Sequence, residues 1–230
     1  MRRAEWFVTW SSIRELVAKS RRRLEIGPGV RPKLPFEGTV FLDLSPVATR
    51  KLRLSGAQAV LGNIEDLPFP DGEFDLICAM DVIEHVADPE AAFVEVTRTL
   101  APGGLLVLAV PLYPEHWTEY DEIVGHRLRY EPSQVLSLIE RGGLEVLRSA
   151  GSGILPANRR FVQIGAWVLG RAMCPPTVWF EDRLILPIAR LFEKAPEWRD
   201  GFHVPTRAAG LMLLCRRGHT SAARDPSLER

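Results

Sequence analysis

Only three cysteines occur among 230 residues, and they stand far apart in the chain. That count argues against a disulfide-stapled scaffold and against a cysteine-based metal framework. Cys78 and Cys215 lie inside apolar runs that read as strands, so buried thiols in a reducing cytoplasm are expected. No uninterrupted apolar stretch approaches the roughly 18 residues of a membrane-spanning helix. Met1 to Trp10 has no apolar run leading to a small-residue cleavage site, so no signal peptide is expected. Neither sign of charge is in excess, with 29 Lys and Arg against 29 Asp and Glu. Net charge therefore gives no argument for nucleic acid or an anionic membrane surface. Internal repeats, low-complexity tracts and glycine-x-serine nucleophile motifs are also missing.

What is present suits one soluble domain. A hydrophobic content of 46% with 25% charged residues allows a single substantial core at this length. Residues 1–23 carry Arg2, Arg3, Arg14, Lys19, Arg21, Arg22 and Arg23 against Glu5 and Glu15, a pattern that predicts a solvated basic helix, with an anion-binding patch as the alternative. Within it, Ile13, Leu16 and Val17 share one face of a helix over 11–19, with Ser11 or Ser12 as the N-cap.

Strands are expected at 24–26, 39–43, 59–61, 74–79, 104–110, 144–147 and 210–215, each an apolar run bounded by turn residues. Ser45-Pro46 reads as a turn. Helices are expected after Asp88-Pro89, with Ala92, Phe93, Val96 and Leu100 at helical spacing, and over 132–141 up to Gly142-Gly143. This alternation predicts an α/β fold: a doubly wound, mostly parallel, seven-stranded Rossmann-like sheet. The domain would run over 24–215, with a helical insertion at 149–209 between the last two strands and a disordered polar tail at 216–230. The insertion holds apolar stretches at 161–169 and 184–192, suited to a lid, a homodimer surface, a peripheral membrane contact or ordinary packing.

The stretch from Leu24 to Phe36 carries Gly27-Pro28-Gly29 directly after the first strand. A dinucleotide fingerprint would place a third glycine where Pro32 stands, so that role is lost. Two close glycines still allow a tight turn whose backbone N–H groups face an anion. Pro32 and Pro35 leave no room for a helix after the first strand, and a short rigid loop is predicted in its place.

At this point the chain resembles the class I S-adenosylmethionine-dependent methyltransferases, in particular their small-molecule, quinone-biosynthesis-type group. Five motifs in order carry the likeness. Glu25-Ile26-Gly27-Pro28-Gly29 is similar to the family's acidic-x-Gly-x-Gly motif, and Asp43 to its ribose-binding acid after strand two. Gly62-Asn63-Ile64-Glu65-Asp66-Leu67-Pro68-Phe69 resembles the adenine segment, with Asn63 in place of the usual Asp. The segment from Phe74 to Val86 resembles the motif lining the cofactor's methionine part, and Leu100-Ala101-Pro102-Gly103-Gly104 the family's L-x-P-G-G signature. The resemblance implies S-adenosylmethionine as cofactor, held by Glu25, Gly27, Pro28, Gly29, Asp43, Leu44, Asn63, Ile64, Glu65, Ala79 and Met80. Arg31 would reach the cofactor carboxylate or point to solvent, and solvent is the expectation.

The implied activity is methyl transfer to a small oxygen or carbon acceptor, hydrophobic acceptors included. The acceptor should border the loop after strand five, 111–131, because ligands of open α/β sheets sit beyond the carboxyl ends of the strands. That loop holds His116, Trp117, Tyr120, Glu122, His126 and Tyr130. Gly125-His126-Arg127-Leu128-Arg129-Tyr130 resembles a family segment of the form H-x-R-x-Y, which makes His126 the candidate general base, with loop ordering as its alternative. His85 is expected to cap or pack. The histidines show no metal-ligand spacing with the cysteines, so no metal is expected. Two rivals remain: a nicotinamide-dependent oxidoreductase, and a non-catalytic interaction or membrane-peripheral module retaining the fold.

Overall fold

The structure is a computed structural model that describes residues 4–7, 9–152, 195–204 and 208–218. Helix α1 covers Trp10–Lys19 and leads into β1, Arg23–Ile26. Strand β2 is Thr39–Asp43, helix α2 Pro46–Leu54, strand β3 Gln58–Leu61 and strand β4 Phe74–Met80. Helix α3, Pro89–Thr99, is followed by the long strand β5, Leu100–Pro111. Helices α4 (Glu119–Val124) and α5 (Pro132–Arg141) precede β6, Leu144–Ser152. A two-residue strand β7, Arg199–Asp200, and strand β8, Gly210–Arg217, complete the set.

These strands form one sheet in the order β3-β2-β1-β4-β5-β8-β6-β7. β3, β2, β1, β4 and β5 run parallel, and β8 lies antiparallel between β5 and β6. The expected doubly wound α/β sheet is therefore present, with an eighth strand where β7 adds two residues to the β6 edge. The order reverses at β1 and β4, whose carboxyl ends flank the crevice where such sheets bind ligands.

Side chains alternate across the sheet, as the period of two requires. Ile77 and Ala79 join the core under α3 and α5, built on Phe93, Val96, Val135 and Ile139. Leu76, Cys78 and Met80 join the opposite core, with Ile13 and Val17 of α1 and Leu52 of α2. Leu34, from the segment after β1, is 1% exposed in that second core. Burying a leucine contributes about 1.5–3 kcal/mol, which anchors a segment that has no helix of its own.

Several expectations need correction. Helix α1 starts one residue early and its N-cap is Thr9, without a side-chain cap bond, rather than Ser11 or Ser12. Helix α2 was not expected. Ser45 accepts from Ala48 N at 3.3 Å and Pro46 occupies the first turn, so Ser-Pro here starts a helix instead of ending in a turn. The basic run is not wholly solvated either. Arg23 is buried, donating to Thr39 Oγ1 and to the carbonyls of Val17, Ser20 and Glu37, which ties α1, β1 and β2 together. Strand β8 runs two residues past the expected end of the domain. The apolar stretches of the insertion and residues 219–230 of the tail lie outside the described residues. Among the described residues, no helix is long and apolar enough to cross a membrane.

Candidate functional site

The segment 27–38 after β1 contains no helix, as its prolines predict. Gly27 and Gly29 both take positive φ, at 64° and 57°. A side chain is strained in that region, and at Gly27 an added Cβ would also stand 2.7 Å from Val82 Cγ2. At Gly29 an added Cβ would meet nothing within 4 Å, so the turn's outer side is open. Arg31 is half-buried, and Arg31 N closes the turn on Pro28 O at 3.0 Å.

Glu25 is buried, at 3% exposure. Its carboxylate accepts from Lys33 N at 2.8 Å and 3.0 Å and from Leu34 N at 2.8 Å. One acidic side chain thus holds the far end of the glycine loop against β1. Burial pushes this carboxyl up to about 7, against the opposing pull of the Lys33 N–H and charge and the Leu34 N–H.

Asp43 ends β2 beside the turn. Its Oδ2 accepts from Gly29 N and its Oδ1 from Ser45 N, each at 2.8 Å. Each carboxylate oxygen has about two lone-pair sites, so acceptor capacity remains on both. A vicinal diol, with two hydroxyl donors, fits that pair. Next in sequence, Leu44 is 71% exposed and offers an apolar surface beside the acid. The geometry therefore fits the ribose and an adjoining flat base.

The adenine segment is held by side chains that work inward. Ile64 is buried in the core, and Asn63 donates to Glu65 Oε2 at 2.8 Å while accepting from Glu65 N. Glu65 Oε1 accepts from Ala87 N and Asp88 N at 2.9 and 2.7 Å, which ties this segment to the start of α3. The Asp88 N–H, the Asn63 amide and the Ala87 N–H hold the Glu65 carboxyl below its ordinary value. From α3, Glu95 accepts from Leu67 N, and Arg98 donates to the carbonyls of Leu67 and Phe69. Ala79 is buried at 0% exposure, and Met80 and Ile64 at 5% and 4%, so the expected contacts at these three residues find almost no accessible surface.

Directly after β4 stands a residue of the Phe74–Val86 motif to which the sequence assigned no role of its own. Asp81 takes φ 58°, and its side chain is 63% exposed beside Lys33 Nζ at 3.3 Å. Lys33 also donates to Met80 O at 3.3 Å, closing the glycine loop over the end of β4. Among the described residues, the other non-glycine residue at positive φ, Tyr113 at 64°, follows β5. Both strained positions lie at the carboxyl edge of the sheet, where strained backbone marks binding and catalytic sites. The signal for Asp81 was available, since it directly follows a strand buried at every position but Asp75.

The loop after β5 folds back onto the 3-10 turn Ile83–His85. Tyr130 Oη donates to Ile83 O at 3.1 Å, Arg127 N to Glu84 O at 2.8 Å, and His85 Nδ1 lies 2.9 Å from Gly125 O. His85 packs the loop, as expected. His126 Nδ1 lies 2.8 Å from Asp121 Oδ1, while its Nε2 stands 3.7 Å from Glu84 Oε1. Asp121, fully buried, is also gripped by Arg129 through Nε at 2.8 Å and Nη2 at 3.1 Å, and by Thr118 N and Oγ1. Burial works to raise the Asp121 carboxyl, but hydrogen bonds from Arg129, Thr118 and His126 hold it below its ordinary value. Burial lowers His126, opposed by its Asp121 hydrogen bond.

Glu84 is the unexpected member. It is 0% exposed, and neither carboxylate oxygen has a hydrogen-bond partner among the described residues. Burial, with the Asp81 charge adding to it, pushes its carboxyl up to about 8. Of the other loop residues, His116 stacks edge-on against Tyr113 at 5.3 Å, Tyr120 faces His126 at 6.5 Å, and Trp117 and Glu122 make no contact that places them in the cluster.

Comparison with known proteins agrees with this geometry. A family model described as a methyltransferase domain matches residues 26–108. A rice (Oryza sativa subsp. japonica) chloroplastic 2-methyl-6-phytyl-1,4-hydroquinone methyltransferase is 33% identical over 93 residues, 39% of this chain and 28% of that protein. An uncharacterized methyltransferase of Schizosaccharomyces pombe is 32% identical over 139 residues, 49% of this chain and 50% of that protein. The chain thus spans half or less of the length of these two curated relatives. A crystal structure of an S-adenosylmethionine-dependent methyltransferase from Thermotoga maritima superposes with a TM-score of 0.63 at 18% identity, covering 93% of this chain and 89% of that one.

Proposed function

We propose that this chain, which belongs to the class I S-adenosylmethionine-dependent methyltransferase family, binds that cofactor at the Gly27–Gly29 turn and methylates a small oxygen or carbon acceptor. The observation that carries this reading is Asp43, a buried carboxylate held by two backbone N–H groups with acceptor capacity left on both oxygens for a ribose diol. Glu25 serves indirectly, fixing the loop through Lys33 and Leu34. Gly27, Pro28 and Gly29 bring backbone close to the cofactor's amino-acid end, alongside the ends of β4 at Ala79 and Met80. Leu44 packs on the adenosine, and the backbone of Asn63, Ile64 and Glu65 borders the adenine.

When bound, S-adenosylmethionine supplies an electrophilic methyl group on a positive sulfonium. This chain then has to hold the acceptor in line with that methyl and keep water away. Such positioning is worth up to about 7–11 kcal/mol of barrier lowering, so few residues need take part in chemistry. An acceptor hydroxyl must also shed its proton. His126 is the side chain we assign to that step, acting directly through Nε2 or through what Nε2 holds, with Nδ1 oriented by Asp121. The insertion 149–209 is assigned the acceptor's identity, together with any homodimer or peripheral membrane contact. Two buried free thiols, Cys78 and Cys215, support a cytoplasmic setting.

Incubation with radiolabelled S-adenosylmethionine and cell extract tests the reading. Label should pass to a small-molecule product. His126→Ala should slow that transfer about a hundredfold or more while cofactor affinity stays unchanged. Cofactor binding with no labelled product in any extract would remove the enzymatic part of the proposal.

A further inference from the structure

Glu84, His85 and His126 stand in a relation that in-line methyl transfer does not by itself require. One ligand atom from each lies within 4.8 Å of the others. Both oxygens of Glu84 are buried without a hydrogen-bond partner among the described residues. A carboxyl in that state stays protonated unless a cation or a set of donors meets its charged form. Meanwhile Nδ1 of each histidine already has a partner: Asp121 Oδ1 at 2.8 Å for His126 and Gly125 O at 2.9 Å for His85. Metal-binding imidazoles have this support behind them, one ring N–H given to a carboxylate or carbonyl so that the other nitrogen is a stronger ligand. Asp121 is fixed in turn by Arg129, whose charge it neutralises.

We propose that Glu84, His85 and His126 bind a divalent cation of the zinc class, leaving an open coordination position for an acceptor oxygen. Tetrahedral zinc, with bonds of about 2.1 Å, needs its ligands about 3.4 Å apart. Nε2 of His126 and Oε1 of Glu84 are 3.7 Å apart, close to that separation. With all ligand atoms within 4.8 Å of one another, no pair need close by more than about 1.4 Å to reach the same value. Two nitrogens with one carboxylate favour zinc, cobalt or nickel over magnesium and calcium, which take oxygen ligands. Three protein ligands leave the fourth position of a tetrahedral ion to water or substrate. The cation makes an oxygen-bound proton more acidic, so a coordinated hydroxyl releases its proton to solvent and His126 acts as a ligand in that state.

The expectation of no metal weighed histidine and cysteine spacing alone. It could not weigh Glu84, whose partner His126 is distant in sequence and close only in the fold. The acceptor's place at the ion rests on the methyltransferase reading; the cation site itself does not.

Calorimetric titration of the chelator-stripped full chain with zinc chloride, paired with cobalt(II) titration followed by visible absorption, tests the site. One equivalent of zinc should bind, cobalt should give the intense band of a four-coordinate ion, and magnesium should not compete. Glu84→Gln and His126→Ala should each abolish stoichiometric uptake. His85→Ala, at a half-buried ring, should do the same in a chain whose melting profile is intact. Asp121→Asn should weaken binding about 10–100-fold. No uptake at stoichiometric zinc, or uptake that persists in His85→Ala and His126→Ala, overturns the proposal. S-adenosylhomocysteine binding is measured in the same samples. Zinc without that ligand would sink the methyltransferase reading alone, and that ligand without zinc would sink the cation site alone.

Discussion

Replacing Glu25 by glutamine should change stability by an amount that depends on pH, and the direction follows from burial. In the folded chain the carboxyl rises from 4.5 to about 7, with Lys33 the charged group facing it and the Cys78 thiol pushed up in part by its presence. At about 1.4 kcal/mol per pH unit between the two pKa values, the difference amounts to roughly 3 kcal/mol. Below pH 4.5 the group is protonated in both folded and unfolded chains and this contribution is fully present. As pH rises the unfolded chain releases its proton first, so the contribution is lost by about pH 7 and stays lost above it. Glutamine does not titrate. It does offer one acceptor oxygen where Lys33 N and Leu34 N now share two, a pH-independent loss of about 1–3 kcal/mol. Urea unfolding at pH 5 and pH 8 should therefore show Glu25→Gln clearly less stable than wild type at the lower pH, and level with or ahead of it at the higher. A difference that does not vary with pH, or that grows against glutamine as pH rises, would refute the argument by showing the carboxylate ionised throughout.

Other outcomes follow from the same contacts. Asp43→Ala should weaken S-adenosylhomocysteine binding at least about tenfold, since each lost charge-assisted bond is worth about 1.5–3 kcal/mol; calorimetry reads this directly. Gly27→Ala should lower the melting temperature, because the new Cβ meets Val82 Cγ2 at 2.7 Å on a backbone of positive φ. Gly29→Ala, with open space at the Cβ position, should cost only about 1–2 kcal/mol of backbone strain yet impair cofactor binding. Arg129→Met should cost about 3–5 kcal/mol in urea unfolding by leaving Asp121 buried beside a weaker set of partners.

The parallel part of the fold was legible because its strands are short apolar runs bounded by turn residues, and Phe74 to Ala79 shows this most plainly. Pro32 and Pro35 correctly announced a loop after β1. Helix α2 escaped because Ser-Pro serves equally as a turn and as an N-cap with its first helical residue, and only Ala48 N on Ser45 Oγ decides between them. β5 starts at Leu100, ahead of Pro102-Gly103-Gly104, because Phe74 pairs with Leu100 across a register shift. Such pairing is not local information.

The site divides in the same way. The family resemblance grouped Asp43 with the two glycines, and the fold brings Gly29 N onto Asp43 Oδ2 at 2.8 Å. Glu25 was expected among the cofactor residues, but its use in holding Lys33 and Leu34 depends on a loop conformation no spacing rule gives. Arg23 looked like one more surface charge until four acceptors from separate segments surrounded it. The Glu84, Asp121 and His126 cluster joins the turn after β4 to the loop after β5, so only the folded chain brings it together.

On the proposed function, the crevice at the ends of β1, β2 and β4 holds S-adenosylmethionine. Isothermal titration of the full chain with S-adenosylhomocysteine, with NAD titrated in parallel, tests it most directly. One-site binding of S-adenosylhomocysteine that Asp43→Ala weakens is expected, with no heat of binding from NAD. Binding of NAD without S-adenosylhomocysteine would contradict it.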